Sequence, residues 1–281
     1  MRGSCRNRIG DIDKMIKKIH FFAVLLAACA FMAFPAFSIS KSESEALLQL
    51  AEDNSAFYET DFSGNYTVVQ EKPGEGKNVT EAILYRRDKT GKWTILITGP
   101  AKEKGKGYLQ YDDNIWFFDP ADRRFTFTSA KDKFQNTNAN NSDFTPQHYA
   151  RDYSIVSAQE VKLGNMECVL FELDAKVENV TYPKLKIWVT KDDGLVRKKE
   201  DYSLSGQKLR TTAVPSYQIV KANGKSYSVP VSMLIQDNLR GKKIGDKVQY
   251  EKTQITIKNV SFEKVSDTVY TKPYLEMMSS K

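Results

Sequence analysis

The sequence predicts a mainly β protein, an antiparallel meander of eleven or twelve strands that forms a barrel or a large curved sheet. Three observations lead there. From Asp61 to Tyr270 the apolar residues recur with period two and are rich in β-branched and aromatic types. Turn signals punctuate these runs: Lys72-Pro73-Gly74, Lys89-Thr90-Gly91, Asp112-Asp113, Lys191 to Gly194, Ser205-Gly206 and Asn223-Gly224. Asp193-Gly194 and Asn223-Gly224 suit tight hairpins because both residue pairs tolerate positive φ. The third observation is composition: 41% hydrophobic residues, with 11% aromatic, is enough to fill a core.

Ahead of the meander lies a targeting segment. Met15-Ile16-Lys17-Lys18 is a basic start, Phe21 to Phe37 is apolar, and Ala36-Phe37-Ser38 sets small residues where a signal peptidase reads. Residues 1–38 therefore read as a signal peptide with Met15 as its true start, and 39–281 as a single mature domain. The apolar run barely reaches the roughly 20 residues that span a bilayer. A second reading stands beside cleavage near Ser38. Leu26-Ala27-Ala28-Cys29 has the pattern of a lipobox, in which Cys29 is lipidated, although Ala30 to Phe37 stays apolar where lipoproteins usually continue into a polar tether. Both readings carry the protein out of the cytoplasm, into the periplasm.

Charge and cysteine usage narrow the function classes. The formal net charge is +7, but residues 1–38 hold six bases and two acids, so the remainder carries only +3. Bases and acids are interleaved along it, which describes a solvated mixed surface and not the clustered basic face of a nucleic-acid binder. Beyond residue 29 the sole cysteine is Cys168, in the apolar run Cys168 to Phe171. An exported domain of this kind has no internal disulfide and depends on its core.

The elements follow in order. Ser40 and Glu43 form a capping box, and Leu47, Leu48, Leu50 and Ala51 recur at helical spacing, so a helix spans about 41 to 57. Strands follow at 65–71, 82–87, 93–98, 114–118 and 124–128, then at 154–161, 168–175, 184–190, 195–203, 208–219, 228–236 and 247–260. In 184–190, Leu185, Ile187 and Val189 share one face and Lys184 and Lys186 the other, which describes a sheet with one wet face. One short helix is too small to cover so wide a sheet. Either the sheet closes on itself, or a second sheet covers it, or its concave face stays partly open for a ligand. Lys131 to Ala150 interrupts the meander with a polar, Asn-rich stretch that reads as a lid or as a plain surface excursion.

No catalytic set emerges, and the chain reads as a binding protein, not an enzyme. His148 is the single histidine of the mature part, too few nitrogen and sulfur ligands remain for a metal cluster, and no cofactor motif is present. Asp112-Asp113 and Asp192-Asp193 sit where hairpins turn, a place Asp favours for its own backbone hydrogen bonds.

The stretch Gly107 to Arg124, with Tyr108, Tyr111, Trp116, Phe117, Phe118 and then Asp119-Pro120, resembles a segment of the periplasmic outer-membrane lipoprotein carriers, the LolA- and LolB-type proteins and their longer lipoprotein-sorting relatives. Asn141-Ser142-Asp143-Phe144-Thr145, the hairpin Lys184 to Arg197, Asp201 to Gln207 and the end Phe262 to Thr271 resemble later pieces of the same family, in the same order. The resemblance implies an open antiparallel β half-barrel of about eleven strands whose concave face is covered by helices. It implies acyl chains of a client lipoprotein, or other lipids, between sheet and helices, and an inner-membrane lipoprotein-release transporter as a further partner. Leu96, Trp116, Phe118, Phe127, Leu185 and Ile187 are the residues expected to line the cavity. Arg87, of the pair Arg86-Arg87 that ends an early strand, matches the arginine that latches the lid in the shorter carriers. The other function this fold would serve is that of an envelope-anchored receptor, sensor or adhesin lipidated at Cys29.

Overall fold

The computed structural model describes residues 39–280 apart from Asp112 and Asp113. Cys29 and the expected signal peptide therefore lie outside the described residues. Helix α1 (Lys41–Asp53) starts on the expected capping box: the Ser40 hydroxyl accepts from the Glu43 N–H while the Glu43 carboxylate accepts from the Ser40 N–H. It ends four residues earlier than the apolar spacing suggests. The Asn54 side-chain amide donates to the Asp193 and Gly194 carbonyls, and Ser55 turns the chain toward the sheet.

Thirteen antiparallel strands form one sheet. They are β1 (Phe62–Lys72), β2 (Gly76–Arg87), β3 (Lys92–Gly99), β4 (Gly107–Tyr111), β5 (Asn114–Asp119), β6 (Arg124–Thr128), β7 (Tyr153–Leu163), β8 (Met166–Ala175), β9 (Lys184–Thr190), β10 (Val196–Tyr202), β11 (Lys208–Ala222), β12 (Lys225–Ile244) and β13 (Lys247–Ser261). Every expected strand is present. The count reaches thirteen, one more than the twelve expected segments, because β4 is a strand of its own, short and hidden behind the charged, Gly-containing stretch Lys102 to Lys106. The architecture is the open antiparallel half-barrel. Asn223 and Gly224, with φ of 51° and 75°, make the tight turn between the two longest neighbours, β11 and β12.

Strand order is β6-β5-β4-β3-β2-β1-β13-β12-β11-β10-β9-β8-β7. Two meanders thus meet at the β1–β13 pair, and the free edges, β6 and β7, are consecutive in sequence. A flat sheet of this width would set those edges roughly 60 Å apart. Residues 129–152 must therefore traverse the sheet, and they do so over its inner face.

Register assigns the faces. On the inner face Tyr66 pairs with Ala82 and Ile257, Val68 with Ile255, and Leu84 with Ile95. Together with Trp93, Tyr108 and Ile115 these make one buried core. Val169, Phe171, Leu173, Leu185, Ile187 and Val189 make a second, capped by Leu48 and Ala51 of α1. Cys168 is fully buried, and burial pushes its thiol up. The outer face of this half is wet: cross-strand pairs such as Lys184–Asp174 (2.7 Å) and Lys186–Glu172 are solvent-exposed and add little stability.

The other half covers its outer face with helix α3 (Lys272–Ser279), which the period-two pattern did not anticipate. Leu275 is buried against Leu96, Leu109 and Phe118. A Cβ at Gly107 would stand 2.6 Å from the Leu275 side chain and 2.8 Å from the Ile95 carbonyl oxygen, so that position disfavours any residue but glycine.

The crossing segment is not a surface excursion. Phe134, Ala139 and Phe144 are buried in the first core, and the asparagines between them serve as backbone braces. Asn141 donates to the Ser129 carbonyl (2.8 Å) and Asn140 to the Tyr182 hydroxyl (3.1 Å). A short helix α2 (Tyr149–Asp152) follows, its Ala150 and Arg151 N–H groups held by Glu52 of α1 at 2.7 and 3.0 Å.

The strongest brace is Arg210 on β11. Its buried guanidinium grips Asp143 of the crossing segment through two bonds (2.6 and 2.7 Å), Asp201 of β10 (2.5 Å) and the Asn138 carbonyl (3.1 Å). Burial alone would raise the Asp143 carboxyl, but the Arg210 charge and hydrogen bonds outweigh it and hold it below its ordinary value. A depressed carboxyl stabilises the fold at pH above its unfolded value, about 4, and that contribution disappears as pH falls through the lower folded value. Asp143→Asn should therefore cost about 3 kcal/mol at pH 7, because it breaks a buried pair. It should also flatten the loss of stability below pH 4, read as urea midpoints at pH 7 and pH 3 against the parent protein. Equal pH dependence in both proteins would remove Asp143 from this role.

Candidate ligand-binding site

Between the inner face and its cover the side chains leave a cavity of about 130 Å³. Its position follows from the elements around it. α1 ends at Asp53, the crossing segment reaches α2 at Tyr149, and neither fills the space over β1, β10, β11, β12 and β13. The walls are mainly apolar: Phe62 and Tyr66 of β1, Val214 of β11, Val229 and Met233 of β12, and Ile257 of β13. Phe57, Phe144 and Tyr149 close it from the covering side. This is the chemistry of a site for a hydrophobic small molecule or part of an apolar chain. Burial raises the phenols of Tyr66 and Tyr149, so both stay neutral across the physiological range.

Arg86 is the charged group that organises the mouth. Its guanidinium, buried on the inner face, donates to Asp88 (2.6 and 3.0 Å) and to the Ser55 carbonyl just beyond α1 (3.0 Å). Asp88 in turn accepts from the Phe57 N–H at 2.8 Å, and the guanidinium lies 5.0 Å from the Phe57 ring centroid. Ser55 continues the tie, exchanging hydrogen bonds with the Gln147 backbone at 2.9 and 3.1 Å. Helix end, sheet and crossing segment are thereby joined at one corner.

Arg87 points the other way. It donates to both Asp61 oxygens (2.8 Å each), to Asp267 and to the Val265 carbonyl, and it stacks on Tyr270. Burial would raise the Asp61 carboxyl, but Arg87 and the Val265 N–H hold it below its ordinary value. Arg87 thus fastens the segment after β13, and its neighbour Arg86 contacts the chain leaving α1. The two arginines alternate across the strand, and sequence position alone does not say which one faces inward.

The same one-residue ambiguity governs the expected lining residues. Leu96 and Phe118 pack under α3 on the outer face. Trp116 lies on that face too, with the Lys272 ammonium 3.8 Å from its ring centroid, and Phe127, edge-on to Trp116, is 66% exposed. Their neighbours along the strands, Ile95, Ile115 and Phe117, are the inward residues. Leu185 and Ile187 do face inward, in the core beneath α1 and beside the cavity, outside its wall. Residues the spacing did not single out, such as Tyr66, Phe144 and Tyr149, form the wall. Phe144 sits in the Ser142-Asp143-Phe144 element that carried part of the resemblance.

A second, more polar opening of about 180 Å³ lies beside the first, bordered by His148, Tyr153, Tyr182 and Lys199. His148 Nδ1 is 3.4 Å from Glu52, the carboxylate that also receives the α2 N–H groups. Among the described residues no group of three or more His, Cys, Asp or Glu side chains is arranged to hold a metal ion. Among them no helix is long and apolar enough to cross a membrane.

Known structures share this architecture. A LolA superfamily protein from Nitrosomonas europaea superposes with a TM-score of 0.66 at 20% identity, covering 82% of this chain and 98% of that one. An outer membrane lipoprotein-sorting protein domain from Vibrio parahaemolyticus gives 0.67 at 15% identity, over 83% and 97%. A DUF1329 family protein from Desulfovibrio piger gives 0.66 at 18% identity, over 82% and 98%. At these identities the likeness establishes the fold. No curated protein sequence matches the chain. A family model described as "Uncharacterized protein" matches residues 89–277. That match spans more than half of the sequence, and the chain belongs to this family, in the fold of the LolA superfamily.

Proposed function

We propose that this protein is a periplasmic carrier that binds the acyl chains of lipoproteins in its inner-face cavity and hands them on toward the outer membrane. Residues 1–38 serve as its export signal, and 39–281 act as one binding domain without a cofactor or catalytic step. Its partners are acylated lipoproteins or related lipids, with an inner-membrane release transporter as donor. The observation that carries the reading is the cavity itself. Its wall is built of Phe62, Tyr66, Val214, Val229, Met233 and Ile257, and neither α1 nor the crossing segment fills it. The lipoprotein-sorting description of the Vibrio parahaemolyticus relative in the same fold points the same way.

The physics suits transfer. Each methylene buried in such a wall gains about 0.8 kcal/mol, roughly what it gains in a bilayer, so a chain leaves either place at similar cost. The cover is a short helix and a crossing segment joined at hydrogen-bonded corners and seated by side chains such as Leu48, Phe134 and Phe144, and opening it breaks those contacts while the sheet stays intact. Lipidation at Cys29 would convert the same cavity into an anchored receptor or sensor, and the mass of the protein's own amino terminus separates these two readings.

Native mass spectrometry of protein released without detergent from the cell envelope is the test. The expected result is an amino terminus near Ile39 and an additional acylated mass on a substantial fraction of molecules. Val229→Trp, which fills the cavity, should abolish the added mass and leave the fold intact by circular dichroism. A protein that carries no lipid, or carries it equally well with Trp at 229, would contradict the proposal.

A further inference from the structure

A lysine stands on the inner wall. Lys199 of β10 projects from the same face as Ile187 and Thr212, its direct partners on the two neighbouring strands. It borders both the apolar cavity and the polar opening beside it. The residue is only 9% exposed, a placement that lysine rarely tolerates without full pairing.

Its pairing is incomplete. Among the described residues the ammonium has one ionic neighbour, Asp201 Oδ1 at 3.4 Å, and that oxygen has no hydrogen-bond partner. The other Asp201 oxygen is taken by Arg210 at 2.5 Å, and Arg210 also takes both oxygens of Asp143. Both nearby carboxylates are thus oriented by the arginine, and the lysine keeps donors to spare. Next to it in register, the Thr212 hydroxyl is buried without any partner. Two adjacent polar groups with unused hydrogen-bonding capacity, on a wall that is otherwise largely apolar, describe a place where a ligand supplies an oxygen.

We infer that Lys199, assisted by Thr212, is the head-group anchor of the cavity, receiving the acyl oxygen of a long-chain carboxylate or ester whose hydrocarbon lies toward Phe62, Val229 and Met233. This rests on the acyl-binding reading above and adds to it a polarity. The chain enters the apolar end, and the oxygen-bearing end stops at Lys199, beside the polar opening. A carboxylate completes an ion pair with the ammonium, whereas an ester carbonyl accepts a hydrogen bond from it. The anchor therefore selects oxygen-headed chains over bare hydrocarbon.

The test uses the intact protein and displacement of the apolar fluorophore 1-N-phenylnaphthylamine by palmitate, methyl palmitate and hexadecane. The parent protein should bind both oxygen-headed ligands about tenfold more tightly than hexadecane, the equivalent of one charged hydrogen bond. A larger gain for palmitate would identify the ion pair as the dominant contact, and equal gains the hydrogen bond. Lys199→Met should erase the preference, so that the three ligands bind with similar affinity. Thr212→Val, nearly isosteric, should lower the preference a few-fold and raise the melting temperature of the empty protein, because it removes a buried hydroxyl that lacks a partner. Should Lys199→Met fail to fold, Thr212→Val carries the same comparison. Hexadecane binding with no preference for an oxygen-headed chain overturns the anchor alone. A parent protein that takes up neither the fluorophore nor any of the three ligands overturns the acyl-binding reading as well.

Discussion

Arg210 holds together two parts of the chain that the sheet cannot join. Because β6 and β7 are opposite edges yet consecutive in sequence, residues 129–152 must cross the concave face, and a crossing segment needs a fixed height above it. The two bonds to Asp143 and the bond to the Asn138 carbonyl set that height, while Asp201 fixes the arginine to the sheet below. A planar guanidinium meets a carboxylate through two parallel bonds, so it fixes orientation as well as distance. Phe134 and Phe144 then drop into the core on one side. On the other, Tyr149 is carried to α1, whose Glu52 accepts the first N–H groups of α2. The cavity is the space these fixed points leave open.

The cover and the wall differ in how they are held. Interlocking apolar rows across β1, β2, β3, β12 and β13 hold the wall, and they lose contacts together or not at all. Directional polar contacts at a few corners hold much of the cover: Arg86 to Ser55, Ser55 to Gln147, and Arg210 to Asp143. Short covering elements, with fewer apolar contacts than paired core strands, open at lower cost than those strands do, even with Phe134 and Phe144 seated in the core. A site built this way admits a long apolar chain without disturbing the sheet that gives the site its shape.

Much of the fold was legible because the evidence for it is periodic. Alternation marks strands regardless of what covers them, the Ser40–Glu43 box marks a helix start through local hydrogen bonds, and Asn223-Gly224 marks a turn through backbone sterics. The cavity residues were less legible for a geometric reason. A strand buried on both faces, such as β3 or β5, carries apolar residues on both faces, so alternation no longer says which set faces in. Trp116 and Phe118 look as suitable as Ile115 and Phe117 until α3 is known to cover the outer face. That helix follows an end that read as the last strand-like piece, and its apolar stripe is only Tyr274, Leu275 and Met278. Arg86 and Arg87 pose the same question at the strand end. Arg210 and Lys199 carry no sequence signal, because a buried cation looks like any solvated one until its partners, far apart in the chain, are brought together.

Photo-crosslinking with a palmitate analogue that bears a diazirine near its methyl end, mapped by peptide mass spectrometry, addresses the inward face most directly. The account predicts labelling at Tyr66, Val229, Met233 and Ile257, with little at Trp116, Phe127 or Leu96. Labelling concentrated on Trp116 and Phe127 would put the ligand on the outer face and contradict the assignment of the cavity as the binding site.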